Sequence, residues 1–200
     1  MSSNTSTQTL LLETIKIEGG VIHNLNYHQQ RCTQSREKLS DSTDLLLLEE
    51  FIIPPKKGCY RCRIVYSSTI QSIEYIPYIE KTIEALKVVS STLKYTLKYA
   101  DRHALNSLLE ENSDVDDIII ERDGYITDTS IANLAFYDGT TWYTPKKPLL
   151  PGTMRQKLLD KGFLSKKDIR KEELPQYTQV ALMNAMIGFK ILKDVKILNS

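Results

Sequence analysis

The stretch GYITDTSIANLAFYDGTTWYTP, residues 124–145, decides how the chain is read. Arg122-Asp123-Gly124 joins two β-rich runs, DDIII and YIT, and an Asp-Gly pair between such runs is a hairpin signal. Asp138-Gly139 repeats the pattern between NLAFY and TTWYT, so a second hairpin is expected directly after the first. Asp128 closes the strand of the first hairpin and is followed by small hydroxyl residues. A carboxylate so placed can pair with a cationic ligand nitrogen. Taken alone, an aspartate here more often bonds its own backbone in a turn.

Upstream, the later part of VVSSTLKYTLKYADRHALNSLLEE has helical apolar spacing at Ala104, Leu105, Leu108 and Leu109, with Asp101 as a candidate cap. Downstream, Pro151-Gly152-Thr153 precedes a short helix, MRQKLLDKG, capped by Thr153 and stopped by Gly162. A last helix is expected over Gln176–Met183, leading through Asn184-Ala185-Met186 into a closing strand, FKILKDVKIL. In the first half, LLLETIKIEGGVI reads as two strands around Gly19-Gly20, followed by a helix from Asn26 to Lys38. Pro54 to Gly58 must be loop, and YRCRIVYS and SIEYIPYI are paired strands. The expected organisation is a disordered polar tail over 1–9, a small α/β domain over 10–90 and a second domain over 91–200.

Composition excludes several classes. Lys and Arg number 26 against 25 Asp and Glu, a net charge of +1, so neither an acidic disordered chain nor a strongly basic nucleic-acid binder fits. No run approaches the roughly 18 apolar residues of a membrane helix. The start, MSSNTSTQT, lacks the basic and apolar regions of a signal peptide, so a cytoplasmic protein without a membrane partner is expected. Three cysteines are too few for a disulfide framework. Cys59 and Cys62 lie three apart in a strand-like run, hence on opposite faces, which argues against a metal or redox pair.

Four places can carry chemistry. Lys98, in Lys98-Tyr99-Ala100-Asp101-Arg102, becomes a nucleophile if desolvation or a neighbouring cation such as Arg102 keeps its amine neutral. Lys94 is an equal competitor on these grounds. Asp128 is the second. The third is Leu150-Pro151-Gly152-Thr153-Met154-Arg155, where unpaired N–H groups at a helix start suit a phosphate and Gly152 allows close approach. The fourth is Arg31 in His28-Gln29-Gln30-Arg31, suited to bidentate phosphate binding. No Ser-His-Asp arrangement, Walker loop or dinucleotide fingerprint is present. The eleven tyrosines are scattered through strand-like runs and form no base-stacking platform.

In order, LETIKIEGGVIHNLNYHQQR, KYADR, GYITDTSIANLAFYDGTTWYTP, LLPGTMRQ and LMNAMIGF resemble the class IV, fold type IV, family of pyridoxal-phosphate enzymes over about Leu12 to Phe189. That family includes branched-chain and D-amino-acid aminotransferases and 4-amino-4-deoxychorismate lyase. The resemblance implies an α+β, two-domain fold with a shortened N-terminal domain and pyridoxal 5'-phosphate as cofactor. It implies that Lys98 forms the Schiff base with that cofactor and moves the substrate proton, and that Arg31 binds its phosphate. Backbone around Gly152, Thr153 and Met154 and the pair Asn184-Ala185 would assist Arg31. Arg102 would join the cofactor site, and Asp128 would pair with the pyridine nitrogen where the family usually has Glu. A homodimer acting on a small amino substrate is implied as well. Arg102 after Lys98, Met154-Arg155-Gln156 and the Asn-Ala-Met segment resemble the lyase branch, whose reaction eliminates pyruvate to leave 4-aminobenzoate for folate synthesis. The alternatives are a class IV aminotransferase and a family-fold protein without activity.

Overall fold

Strand β1 (Leu11–Glu18) alternates so that Leu11, Glu13, Ile15 and Ile17 share its buried face. In the computed structural model, which describes residues 8–39 and 44–199, this strand is the second of four in an antiparallel sheet. Gly19 and Gly20, both at positive φ, turn it back into β2 (Val21–Ile22). On its other side it pairs along its whole length with β3 (Cys59–Tyr66), which continues into β4 (Ile70–Pro77). Between β2 and β3 lie helix α1 (Leu25–Leu39) and a short 3-10 turn, Leu48–Phe51. Ile15 and Ile17 of β1, Ile64 and Tyr66 of β3, Leu48 and Leu97 fill one core. Arg36, buried near the end of α1, donates to the carbonyls of Ser67, Ser68 and Asp44 and so ties the helix to the β3–β4 turn.

A second sheet is built from β5 (Ala85–Ser90), β6 (Asp117–Arg122), β7 (Tyr125–Thr129), β8 (Asn133–Tyr137), β9 (Trp142–Pro145), β10 (Leu164–Lys167), β11 (Gln179–Asn184), β12 (Gly188–Leu192) and β13 (Lys196–Asn199). Its path runs β10-β9-β8-β7-β6-β5-β13, with β11 pairing β8 and β12. Helices α2 (His103–Glu110) and α3 (Thr153–Asp160) belong to the same half of the chain. Ile118, Ile119 and Ile120 of β6 are all fully buried, as expected of a central strand covered on both faces. Each such side chain contributes about 1.5–3 kcal/mol relative to exposure.

Both expected Asp-Gly hairpins form, as β6–β7 and β8–β9. Four expectations need correction. The helix expected over 176–183 does not form: Gln176 ends a 3-10 turn, Lys171–Gln176, and β11 is a strand sandwiched between β8 and β12, buried on both faces, and so lacks the alternation that marks a half-buried strand. The closing strand is broken into β12 and β13 by a turn in which Asp194 takes a positive φ. The caps shift by one residue, since Arg102 and Gly152, not Asp101 and Thr153, occupy the N-cap positions, and neither makes a side-chain capping bond. The division of the chain also differs from a single cut at 90/91. One compact unit comprises residues 1–78 and 97–101, the other 79–96 and 102–200. The physical reason is pairing: β5 hydrogen-bonds to β6 and β13, whereas residues 97–101 return to β1, with Leu11 bridged to Tyr99. Of the tail expected over 1–9, residues 1–7 lie outside the described residues; Gln8 donates to the Ser68 hydroxyl. No described helix is long and apolar enough to cross a membrane.

Candidate active site

The first unit holds a buried ionic cluster. Glu13 sits at an inward position of β1, and Arg31 of α1 donates to it twice, from Nε to Oε1 at 2.8 Å and from Nη2 to Oε2 at 2.6 Å. His28, one helical turn before Arg31, lies 2.6 Å from the same Oε2 through Nδ1. Burial alone raises the Glu13 pKa, but the Arg31 charge and the hydrogen bonds from His28 and Arg31 outweigh it and hold the carboxyl at about 2. An ionised acceptor requires the Nδ1–H tautomer, which leaves His28 Nε2 as a buried lone pair without a hydrogen-bond partner among the described residues. Burial, together with the Arg31 and Lys98 charges, lowers the His28 pKa against the opposing pull of Glu13, so the ring is neutral at pH 7.

Lys98 lies in this unit, in an extended segment and not at a helix start. Its carbonyl accepts from Leu12 N at 2.8 Å, and Ala100 N donates to Leu10 O at 2.9 Å, so the segment is stitched to the beginning of β1. Lys98 is half-buried, whereas its competitor Lys94 is exposed and belongs to the other unit. On the desolvation criterion, Lys98 is favoured.

In the second unit the sequence-expected residues gather around the turn Thr129–Ala132. Thr129 Oγ1 accepts from the N–H groups of Ile131 and Ala132, and Asp117 Oδ1 from that of Ser130. Arg102 donates from Nη2 to the Ser130 carbonyl at 2.8 Å, and Asn184 from Nδ2 to that of Ile131 at 3.3 Å. The Asn184 Oδ1 accepts from Met186 and Ile187 N–H, so this side chain closes the β11–β12 turn that contains Ala185. Ser130 Oγ and Asp117 Oδ2 are buried with no partner among the described residues.

Asp128 stands at one end of the turn, 4% exposed. Its Oδ2 accepts from Leu150 N at 2.8 Å and its Oδ1 from Asn133 Nδ2 at 2.7 Å. Desolvation raises its pKa to about 6, against the lowering effect of these donors and of the Arg155 charge. Leu150 lies two residues before Gly152, the N-cap of α3, so the carboxylate and a helix start with no side-chain cap are joined through one short segment. Thr153 and Met154 open that helix, and Arg155 fixes it to β9 by donating to Thr144 Oγ1 and the Pro145 carbonyl. The unpaired N–H groups of such a start suit an anion, and the acid suits a protonated ring nitrogen.

Glu13 and Asn133 were not singled out from sequence as site residues. Glu13 had a visible signal, a carboxylate on the apolar face of an alternating strand. The partners of Asn133 carried none, because one of them is a backbone carbonyl.

The sequence profile of the family described as amino-transferase class IV matches residues 10–193. An uncharacterized protein of Haemophilus influenzae is 38% identical over 184 residues, covering 89% of this chain and 98% of its own length. Among solved structures, a candidate 4-amino-4-deoxychorismate lyase of Haemophilus somnus is 39% identical with a TM-score of 0.83, over 90% of this chain and 98% of that one. A hypothetical aminotransferase of Mycobacterium tuberculosis, in its PLP-bound form, shares 16% identity at a TM-score of 0.75, over 94% of this chain and 81% of that one, a likeness of fold.

Proposed function

The chain belongs to the class IV amino-transferase family, and from that premise we propose that it is a pyridoxal-phosphate enzyme of the 4-amino-4-deoxychorismate lyase type, eliminating pyruvate from a small amino substrate to leave 4-aminobenzoate. The observation that carries this reading is the linkage of Asp128 to the start of α3 through Leu150. A buried acid hydrogen-bonded to the segment that leads into an uncapped helix start fits a ligand with a basic ring nitrogen and a phosphate. Gly152 adds no side chain there, and the buried Ser130 hydroxyl leaves a donor for the same ligand.

When bound, the cofactor supplies an electron sink for the charge left as the α-proton departs. Asp128 keeps the ring nitrogen protonated. By the family resemblance Arg31, its plane set by Glu13, is a phosphate-binding residue, and so are the backbone N–H groups of Thr153 and Met154 and the Asn184-Ala185 turn. Lys98 holds the cofactor and carries the proton on Nζ. Arg102, anchored to the Ser130 carbonyl, completes the cofactor site. The same reading takes the enzyme as a homodimer serving folate synthesis, which rests on the family resemblance.

The lyase is preferred to an aminotransferase because of Arg102 after Lys98 and the 39% identity to a candidate lyase. A coupled assay for pyruvate release from aminodeoxychorismate, run beside amino transfer from branched-chain amino acids or glutamate, tests it. Pyruvate release is expected. Transfer alone would reject the lyase, and neither activity in cofactor-loaded protein would leave a family fold without catalysis.

A further inference from the structure

Asn133 opens β8 opposite Asp128, the one register pair that joins β7 to β8. Its Nδ2 donates to Asp128 Oδ1 at 2.7 Å and to the Leu150 carbonyl at 2.8 Å. Two acceptors facing one terminus of the amide settle which end is nitrogen. Because the Leu150 N–H donates to the other Asp128 oxygen, Asn133, Asp128 and Leu150 close a ring of three hydrogen bonds. Asp128 and Asn133 are both buried. The remaining atom of the amide, Oδ1, occupies the space beside Gly152: a Cβ built there would overlap it and lie 3.1 Å from Asn133 Cγ. At φ −75° and ψ 145°, position 152 has a backbone that any residue adopts, so it is this close approach that requires glycine.

Resting on the cofactor reading above, we propose that Asn133 is a positioning residue which locks the Asp128 carboxylate to the Leu150–Gly152 segment, so that the acid for a ring nitrogen and the helix start for a phosphate are held at one fixed spacing. One amide thus sets both ends of a single ligand's site. It also bears on the aspartate at position 128: the shorter side chain has both oxygens fixed by the ring, and a glutamate, one methylene longer, cannot keep both bonds without displacing Asn133 or Leu150.

The test uses the full chain without cofactor. The Asp128 carboxyl carbon is titrated by NMR in the wild type, Asn133→Ala, Gly152→Ala and the double variant, and each is dialysed to equilibrium against pyridoxal phosphate and against pyridoxal. Loss of a donor to the ionised acid is expected to raise the proton affinity of Asp128 in Asn133→Ala by about tenfold and to weaken pyridoxal phosphate by at least as much. Gly152→Ala is expected to be damaging alone and nearly silent in the Asn133→Ala background, since the clash has been removed. Asn133→Ser serves for the same comparisons if the alanine variant does not fold. An unmoved Asp128 titration, or an equal cost of Gly152→Ala in both backgrounds, would overturn the proposal. Failure of the wild type to bind pyridoxal phosphate would instead sink the cofactor reading, while the titration and the 133/152 coupling still decide whether Asn133 makes the lock.

Discussion

Arg31 grips Glu13 in a side-on bidentate pair, with N–O distances of 2.8 and 2.6 Å, and the carboxylate it holds is fully buried. Taking both charges out of water costs several kcal/mol per ion, which the pair recovers only through good geometry and further bonds. His28 supplies such a bond, leaving Glu13 with three donors. The arrangement fixes the plane of the guanidinium, which suits a residue proposed to meet a phosphate in a defined orientation.

Arg31→Gln is therefore expected to do two things. Leaving Glu13 buried without its cation should destabilise the protein by about 3–5 kcal/mol in denaturant unfolding. In protein that still folds, pyridoxal phosphate should be weakened far more than pyridoxal, which lacks the phosphate. Equal weakening of both ligands would remove Arg31 from phosphate binding.

Asp128→Asn is expected to leave the fold intact, because Asn133 and Leu150 still find one amide oxygen between them. The new NH₂ must face a donor, so one hydrogen bond is lost, at about 1–3 kcal/mol. Turnover should fall steeply while the cofactor is still retained, since a neutral amide cannot hold a proton on a ring nitrogen. An unchanged rate would strip Asp128 of its electronic role.

What could be read from sequence was local. Asp123-Gly124 and Asp138-Gly139 announced their hairpins because positive φ is written into the residue type. QVALMN announced nothing, because a strand buried on both faces shows neither a period of 2 nor one of 3.6, and it was expected to be helical. Glu13 was legible as an oddity, a charge in the row Leu11, Glu13, Ile15, Ile17. Its partners, 15 and 18 residues away on a helix, were not. The Asn133 ring closes on the backbone of Leu150, 17 residues on, and a backbone group leaves no mark in a sequence.

Borohydride reduction of protein incubated with pyridoxal phosphate, followed by peptide mapping, is expected to fix the cofactor on Lys98. Lys98 is half-buried beside β1, while Lys94 is exposed and solvated. Label on Lys94, or on no lysine, would overturn the assignment of Lys98.

The two units should respond to acid in opposite directions. His28 has a folded pKa below its ordinary 6.5, so the folded first unit binds fewer protons than the unfolded chain. Its contribution is present above pH 6.5 and is lost as pH falls through the depressed value. Glu13, lowered from 4.5 to about 2, adds a second loss between those values. Asp128 has the reverse sign: raised from 3.8 to about 6, it stabilises the folded second unit below pH 3.8 and loses that contribution as pH rises through 6. At 1.36 kcal/mol per pKa unit this is about 3 kcal/mol. Native-state hydrogen exchange, corrected for its intrinsic pH dependence, resolves the units separately. Between pH 6.5 and 4.5, protection at Ile15 and Ile64 should fall, and protection at Ile119 and Leu134 should rise. His28→Gln should flatten the first trend and Asp128→Asn the second. Parallel trends in both units would show that other groups govern the acid response.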